Sequence, residues 1–146
     1  MCSENNLGYN PANEESILAY AAHLEGQTLN EAIPNYERTF KGGKGFFGLI
    51  LETGYFGLKR NNESRPDFEE VGIELKSSPI KRLGNGSLRA KERISLSMID
   101  YNKLAYESGS LYSTSFWSKI KRILLVFYEY SPDLDVLEYP VRIVSL

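Results

Sequence analysis

The sequence predicts an α/β (α+β) domain, with N-terminal helices followed by a mixed central sheet. Three observations point there. Residues 14–25 carry apolar side chains at helical spacing: Ile17, Leu18, Ala21 and Leu24. "IELKSS" (Ile73 to Ser78) alternates along its length, and "ILLVFYEY" (Ile123 to Tyr130) is a continuous apolar run of strand length. Helices come first and strands after, which sets the class. The chain has 146 residues, enough for one domain with a real core.

Asn13 is an N-cap for "EESILAYAAHLEG", and Gly26 is a stop for that helix. "TLNE" (Thr28 to Glu31) is a capping box opening a short helix that Pro34 ends. Gly42, Gly43 and Gly45 give a flexible entry to a mostly apolar helix from Phe46 to Phe56, with Glu52 as its single charge. These glycines are not a phosphate loop, because no Gly-Lys-Ser/Thr follows. Asp67 and Phe68 read as a short strand or strand end, and "EEVG" turns the chain at Gly72. In the strand that follows, Ile73 and Leu75 point one way and Glu74 and Lys76 the other. "LGNGS" (Leu83 to Ser87) is a turn, and "RISLSMI" (Arg93 to Ile99) is expected as a strand. "STSFWSKIKR" leads into the apolar strand, and "YPVRIVSL" (Tyr139 to Leu146) supplies one more. Phe116 and Trp117 are expected in the core, His23 on the surface, and the ten tyrosines show no pattern.

Composition excludes several classes. The chain is 42% hydrophobic and 25% charged, as in ordinary globular domains. No apolar run approaches a membrane span, and the polar, acidic N-terminus is neither a signal nor a transit peptide. The single Cys2 excludes an internal disulfide and a cysteine-based zinc site, so the cytoplasm is the expected compartment. Net charge is −2, but it is unevenly spread. Residues 1–40 carry one basic and six acidic side chains, residues 41–122 fifteen and nine, and residues 123–146 one and four. The basic middle can hold phosphates although the whole chain is acidic. Arg89, Lys91 and Arg93 read equally as a solvated strand face or as a phosphate-binding rail.

The stretch "SRPDFEEVGIELKSS" concentrates the chemistry. Hydrolysis of a phosphodiester needs charge neutralisation and a deprotonated water, and a divalent ion held by carboxylates supplies both. Two strands joined by a short turn can bring Asp67 and Glu74 onto one magnesium, with the Leu75 carbonyl as a third oxygen. Lys76, two residues after Glu74, emerges on the same face and can act on the attacking water or the developing charge. A half-exposed strand with charges on its wet side fits the same residues. Glu52 reads from its own helix as a rim position rather than a carboxylate aimed into a site.

Longer segments decide between these readings. "ILAYAAHLEGQTLNEAI", "KGGKGFFGLILETGYFG", "PDFEEVGIELKSSPIKRLGNG", "AKERISLSMIDY" and "TSFWSKIKRILLVFYEY" occur in that order. Together, from about Ile17 to Tyr130, they resemble the MutH / Sau-three-AI family of GATC-specific endonucleases, within the PD-(D/E)xK superfamily. "GIELKSSP" followed by "LGNGSLRAKER" is closer to the restriction-enzyme branch. The resemblance implies a PD-(D/E)xK core, magnesium dependence, and cleavage of double-stranded DNA at GATC, before the G. Carried over by motif, Asp67 and Glu74 would be metal ligands and Lys76 the catalytic lysine. Glu52, ending "GLILE", matches a family active-site glutamate, which reverses its rim reading. Lys119, the first lysine of "KIKR", matches a further active-site lysine, and Lys44 matches a position near the DNA backbone.

Family members continue beyond the point matching Leu146, with a second base-reading arm in the nickase and a second nuclease-like domain in the restriction enzymes. The expectation is therefore one catalytic domain over residues 1–146, as an N-terminal fragment or catalytic arm of a longer enzyme. A cognate methyltransferase is an expected companion. Oligomeric state is not legible. Two rivals stand beside the restriction endonuclease: a mismatch-repair nickase of hemimethylated GATC, and a DNA-binding or allosteric module without chemistry.

Overall fold

Helix α1 (Glu14–Ala22) begins where Asn13, in extended conformation, accepts a hydrogen bond from the Ser16 N–H at 2.9 Å. Its buried side, Ile17 and Ala21, continues into buried Leu24, while His23 is exposed as expected. Gly26 has φ +81°, and its N–H donates to the Val141 carbonyl at 2.8 Å, so this turn ties the first helix to the last strand. Thr28 caps α2 (Leu29–Ala32), accepting from the Glu31 N–H at 3.3 Å. The computed structural model describes residues 8–34, 36, 45–59, 65–96, 101–107 and 109–146. Cys2, Gly42, Gly43 and Lys44 lie outside the described residues.

The apolar segment after Gly45 is helical, but not as one uniform helix. α3 (Phe46–Ile50) passes into a π-helical turn (Leu51–Tyr55), closed by the Phe56 N–H donating to the Leu51 carbonyl at 3.1 Å. Such wide turns recur at functional sites because they re-aim side chains, and Glu52 lies in this one. Gly48 lets α3 lie close on the sheet, since a Cβ there would come within 3.1 Å of the Ser77 hydroxyl oxygen.

Among the described residues the sheet has four strands, in the order β2-β1-β3-β4. β1 (Glu74–Arg82) pairs in parallel with β3 (Ile123–Glu129), from Glu74 opposite Ile123 to Ile80 opposite Glu129. β4 (Val141–Ser145) is antiparallel to β3. β2 (Leu88–Ala90) is antiparallel to β1, and it meets only Ile80, Lys81 and Arg82. The crossover from β2 to β3 carries α4 (Tyr101–Tyr106), a 3-10 turn (Leu111–Ser113) and α5 (Ser115–Ile120). The parallel β1–β3 centre is the most buried part of the sheet, with Leu75, Leu124 and Val126 all buried.

Two expectations need correction. The strand foreseen at 93–99 lies earlier, at Leu88–Ala90; residues 93–96 are irregular and 97–99 lie outside the described residues. The turn sets where pairing starts: the Leu83 N–H donates to the Ser87 carbonyl at 2.8 Å and Gly86 takes φ +86°. Pro79 sets where it stops. Its carbonyl accepts from the Lys91 N–H at 3.1 Å, but a proline returns no N–H to the ladder. Phe116 and Trp117, expected in the core, are only half-buried. They sit on the short α5, where Trp117 packs edge-on against exposed Tyr112.

The core joins the N-terminal helices to the β1–β3 centre through aromatic rings. Tyr20 stacks on Tyr55 and on Tyr9, and Phe56 meets Tyr9, Tyr20 and Phe68 edge-on. Each hydroxyl finds a main-chain acceptor: Tyr9 donates to the Phe56 carbonyl at 2.6 Å, Tyr20 to Tyr55, and Tyr55 to Tyr20. Burial pushes the Tyr9 phenol up to about 12 and raises Tyr55 too, so both remain donors. Three of the tyrosines that looked patternless thus fix the π-turn against the segment carrying Asp67.

Candidate active site

The seven-residue interval between Asp67 and Glu74 is a closed loop. Phe68 and Ile73 form an antiparallel bridge, with N–H to carbonyl distances of 2.8 and 3.2 Å in the two directions. Gly72 turns the chain at φ +70°, and its N–H also donates to the Phe68 carbonyl. Burial of Phe68 and Ile73 anchors the loop, which leaves the residues just outside the bridge, Asp67 and Glu74, facing each other. Glu69 and Glu70 are exposed at its tip, and Glu69 pairs with Arg65 at 3.0 Å.

The two acids clamp each other through the main chain. The Leu75 N–H donates to Asp67 Oδ2 at 2.9 Å, and the Asp67 N–H donates to Glu74 Oε2 at 3.1 Å. Glu74 Oε1 faces two ammonium groups, Lys76 Nζ at 3.8 Å and Lys119 Nζ at 3.9 Å. Lys119 reaches this point because α5 ends just before β3, whose first residue is opposite Glu74. Asp67, Glu74, Lys76 and Lys119 are therefore one contact network. Glu52 is brought near Lys76 only through a shared surface: the π-turn and β1 line one open cavity of about 360 Å³, on which Glu52 and Lys76 both lie. Lys44 lies outside the described residues.

Ladder parity places the Leu75 carbonyl. Glu74 and Ile80 bond toward β3: the Glu74 N–H donates to the Arg122 carbonyl and the Ile80 carbonyl accepts from Tyr130. Leu75 and Pro79 bond on the opposite edge, to Asp67 and Lys91. N–H and C=O of one strand residue point to one side, so the Leu75 carbonyl lies on the edge that Asp67 occupies.

This donor set fits a hard divalent cation. It offers carboxylate and carbonyl oxygens and no sulfur or imidazole. Among the described residues, no group of three or more His, Cys, Asp or Glu side chains gathers to hold a metal; Asp67 and Glu74 are the two carboxylates that would face one here. The electrostatics show what an ion would relieve. Burial, then repulsion from Asp67, raises the Glu74 carboxyl to about 7, while Lys119 and Lys76 pull it down. An acid raised from about 4.5 to about 7 on folding holds its proton longer in the folded chain. Metal-free stability from this group is thus full below about pH 4.5 and is lost as pH rises through about 7. Glu74→Gln should make the metal-free protein more stable at pH 8, by about 1–2 kcal/mol once solvent screening is allowed for. Urea unfolding of both proteins at pH 5 and pH 8 checks this; the gain should be much smaller at pH 5 than at pH 8.

One support was not legible from the motif. Arg122 forms a two-pronged ion pair with Glu14 at the start of α1, one prong being Nη1 to Oε2 at 2.8 Å. That guanidinium, hydrogen-bonded to it, holds the Glu14 carboxyl below its usual range. Because the Arg122 carbonyl receives the Glu74 N–H, the pair fixes β3 and α1 behind the acids.

Helices packed on a mixed sheet, with an aspartate beside a Glu-x-Lys strand, define a PD-(D/E)xK nuclease type of core. Residues 56–146 match the family described as DNA mismatch repair enzyme MutH, and the chain belongs to that family. It is 42% identical to the type II restriction enzyme Sau3AI of Staphylococcus aureus over 96 residues, covering 66% of this chain and 19% of that enzyme. It is 29% identical over 133 residues to the MutH protein of Salmonella paratyphi A, covering 88% of this chain and 54% of the relative. With MutH of Shigella flexneri it shares 31% over 121 residues, 80% and 49% of the two chains. The chain thus spans about half the length of these mismatch-repair relatives and about a fifth of the restriction enzyme. Among the described residues no helix is long and apolar enough to cross a membrane.

Proposed function

We propose that this chain is the nuclease domain of a magnesium-dependent type II restriction endonuclease that cuts double-stranded DNA at GATC, before the G. The observation that carries the reading is the reciprocal clamp of Asp67 and Glu74, with two lysines on Glu74. The 42% identity to a restriction enzyme favours that branch.

In this reading Asp67, Glu74 and the Leu75 carbonyl hold magnesium, which when bound polarises the phosphate and acidifies a water. The protein does the rest. The main-chain N–H groups of Leu75 and Asp67 hold one oxygen of each carboxylate, fixing the donors before the ion arrives. Lys76, on the cavity wall, would donate a hydrogen bond that orients the attacking water and would offset the negative charge that develops as the water loses its proton to solvent. Lys119 offsets charge developing on the phosphate, and Glu52 closes the site from the π-turn. Lys44 contributes to the DNA backbone contact.

Cleavage of GATC plasmid should need magnesium and stop with EDTA, and a plasmid lacking GATC should survive. Equal cutting of both plasmids would overturn the specificity. A mismatch-repair nickase of hemimethylated GATC is the second reading, favoured by the 80–88% coverage of this chain by MutH relatives. Plasmids methylated on adenine in neither, one or both strands separate them: the nickase spares the doubly methylated form, and the restriction enzyme does not.

A further inference from the structure

The described arginines fall into two groups. Arg65, Arg82, Arg122 and Arg142 each pair with a glutamate. Arg89 and Arg93 have no ion pair among the described residues; Arg89 lies on β2 and Arg93 on the exposed irregular stretch that follows it. Arg93 is set apart from Arg89 by position: it lies on the cavity that also holds Glu52 and Lys76. The segment is held there, because the Lys91 N–H bonds to the Pro79 carbonyl and the Lys91 ammonium sits 4.5 Å from the centre of the Tyr130 ring.

The β1 edge facing Arg93 has a matching feature. β2 covers only Ile80 to Arg82, so among the described residues the edge from Leu75 to Pro79 has no partner strand on that side. Ladder parity turns the main-chain groups of Leu75, Ser77 and Pro79 outward there. The Leu75 N–H is taken by Asp67, and Pro79 has none. Ser77, also on the cavity, therefore supplies the remaining donor of that edge. Glu92 is on the same wall and opposes an anion, so the arginine and not the general charge of the segment must provide the attraction.

We infer that Arg93 and the Ser77 N–H hold one specific phosphate of the DNA strand, an anchoring point on the cavity that Glu52 and Lys76 also line. A guanidinium and a main-chain N–H together suit a phosphate diester, which has two non-bridging oxygens to share between them. The inference rests on the proposed nuclease reading. Arg93 is then a positioning residue that sets the strand's register against the carboxylates.

The test uses the protein with calcium in place of magnesium, to hold a GATC duplex without cutting it. Arg93→Ala should weaken binding about tenfold and flatten the salt dependence by about one unit of log–log slope. Arg93→Lys should restore the slope and not the full affinity, because an ammonium keeps the charge and loses the fork. Neutral methylphosphonate, placed at each phosphate in turn, should cost the wild type at one position where it costs Arg93→Ala nothing. Circular dichroism checks that the variants fold, as expected for an exposed side chain. If Arg93→Ala binds every duplex like the wild type, the inference falls while the nuclease reading stands. If the wild type binds no duplex, the nuclease reading itself falls and takes the inference with it.

Discussion

Replacing Asp67 by alanine should remove DNA cleavage, lowering the rate on the order of a thousandfold or more, and should remove tight magnesium binding with it. Asp67 does two things that no neighbour duplicates. Its Oδ2 receives the Leu75 N–H, which pins the strand carrying Glu74 and Lys76, and its charge is the second negative charge beside Glu74. Without it, the buried Glu74 keeps two lysines and loses the repulsion, so its carboxylate settles into an ion pair and a cation is no longer required. Asp67→Asn separates these roles. The amide oxygen can still accept from Leu75, so folding should be near wild type by thermal melting, while cleavage should be as low as for alanine. Cleavage by Asp67→Asn within a few-fold of wild type would mean that the carboxylate is not a ligand.

The second large effect is expected at Lys76. Lys76→Ala should slow cleavage by about a hundred- to ten-thousandfold and leave calcium-supported duplex binding within a few-fold of wild type. Its ammonium is half-buried on the cavity wall, 3.8 Å from Glu74. Lys119→Ala should be milder, because Lys119 approaches the same Glu74 oxygen from α5 and does not line the cavity. Single-turnover kinetics at saturating magnesium measures both. An order of effect with Lys119 above Lys76 would exchange their roles.

These effects follow from residues whose placement was partly legible in advance. Asp67, Glu74 and Lys76 could be grouped from spacing because a two-strand turn and strand alternation are local rules, and the structure keeps both. Glu52 and Lys119 could not be placed that way. Glu52 depends on a π-turn, which no helical periodicity announces, and on Gly48 admitting the helix close to Ser77. Lys119 depends on the parallel pairing that sets the end of α5 beside Glu74, a contact across 45 residues. The misplaced strand has the same origin. β-propensity marked the apolar run at 93–99, but the Leu83–Ser87 turn and the missing donor of Pro79 fixed the pairing at Leu88–Ala90. Tyr9, Tyr20 and Tyr55 looked scattered because stacking joins rings far apart in the chain.

If Asp67 and Glu74 together hold a divalent cation, binding of the ion must be linked to the proton on Glu74. Titration calorimetry with manganese, run at pH 6 and pH 8 on the wild type and on Asp67→Asn, tests it most directly. The wild type should bind one ion, more tightly at pH 8, and should release more protons at pH 6, where Glu74 with its carboxyl raised to about 7 must be deprotonated first. Asp67→Asn should give no heat of binding in the same range. An unchanged isotherm for Asp67→Asn, or wild-type binding that does not vary between the two pH values, would contradict the account.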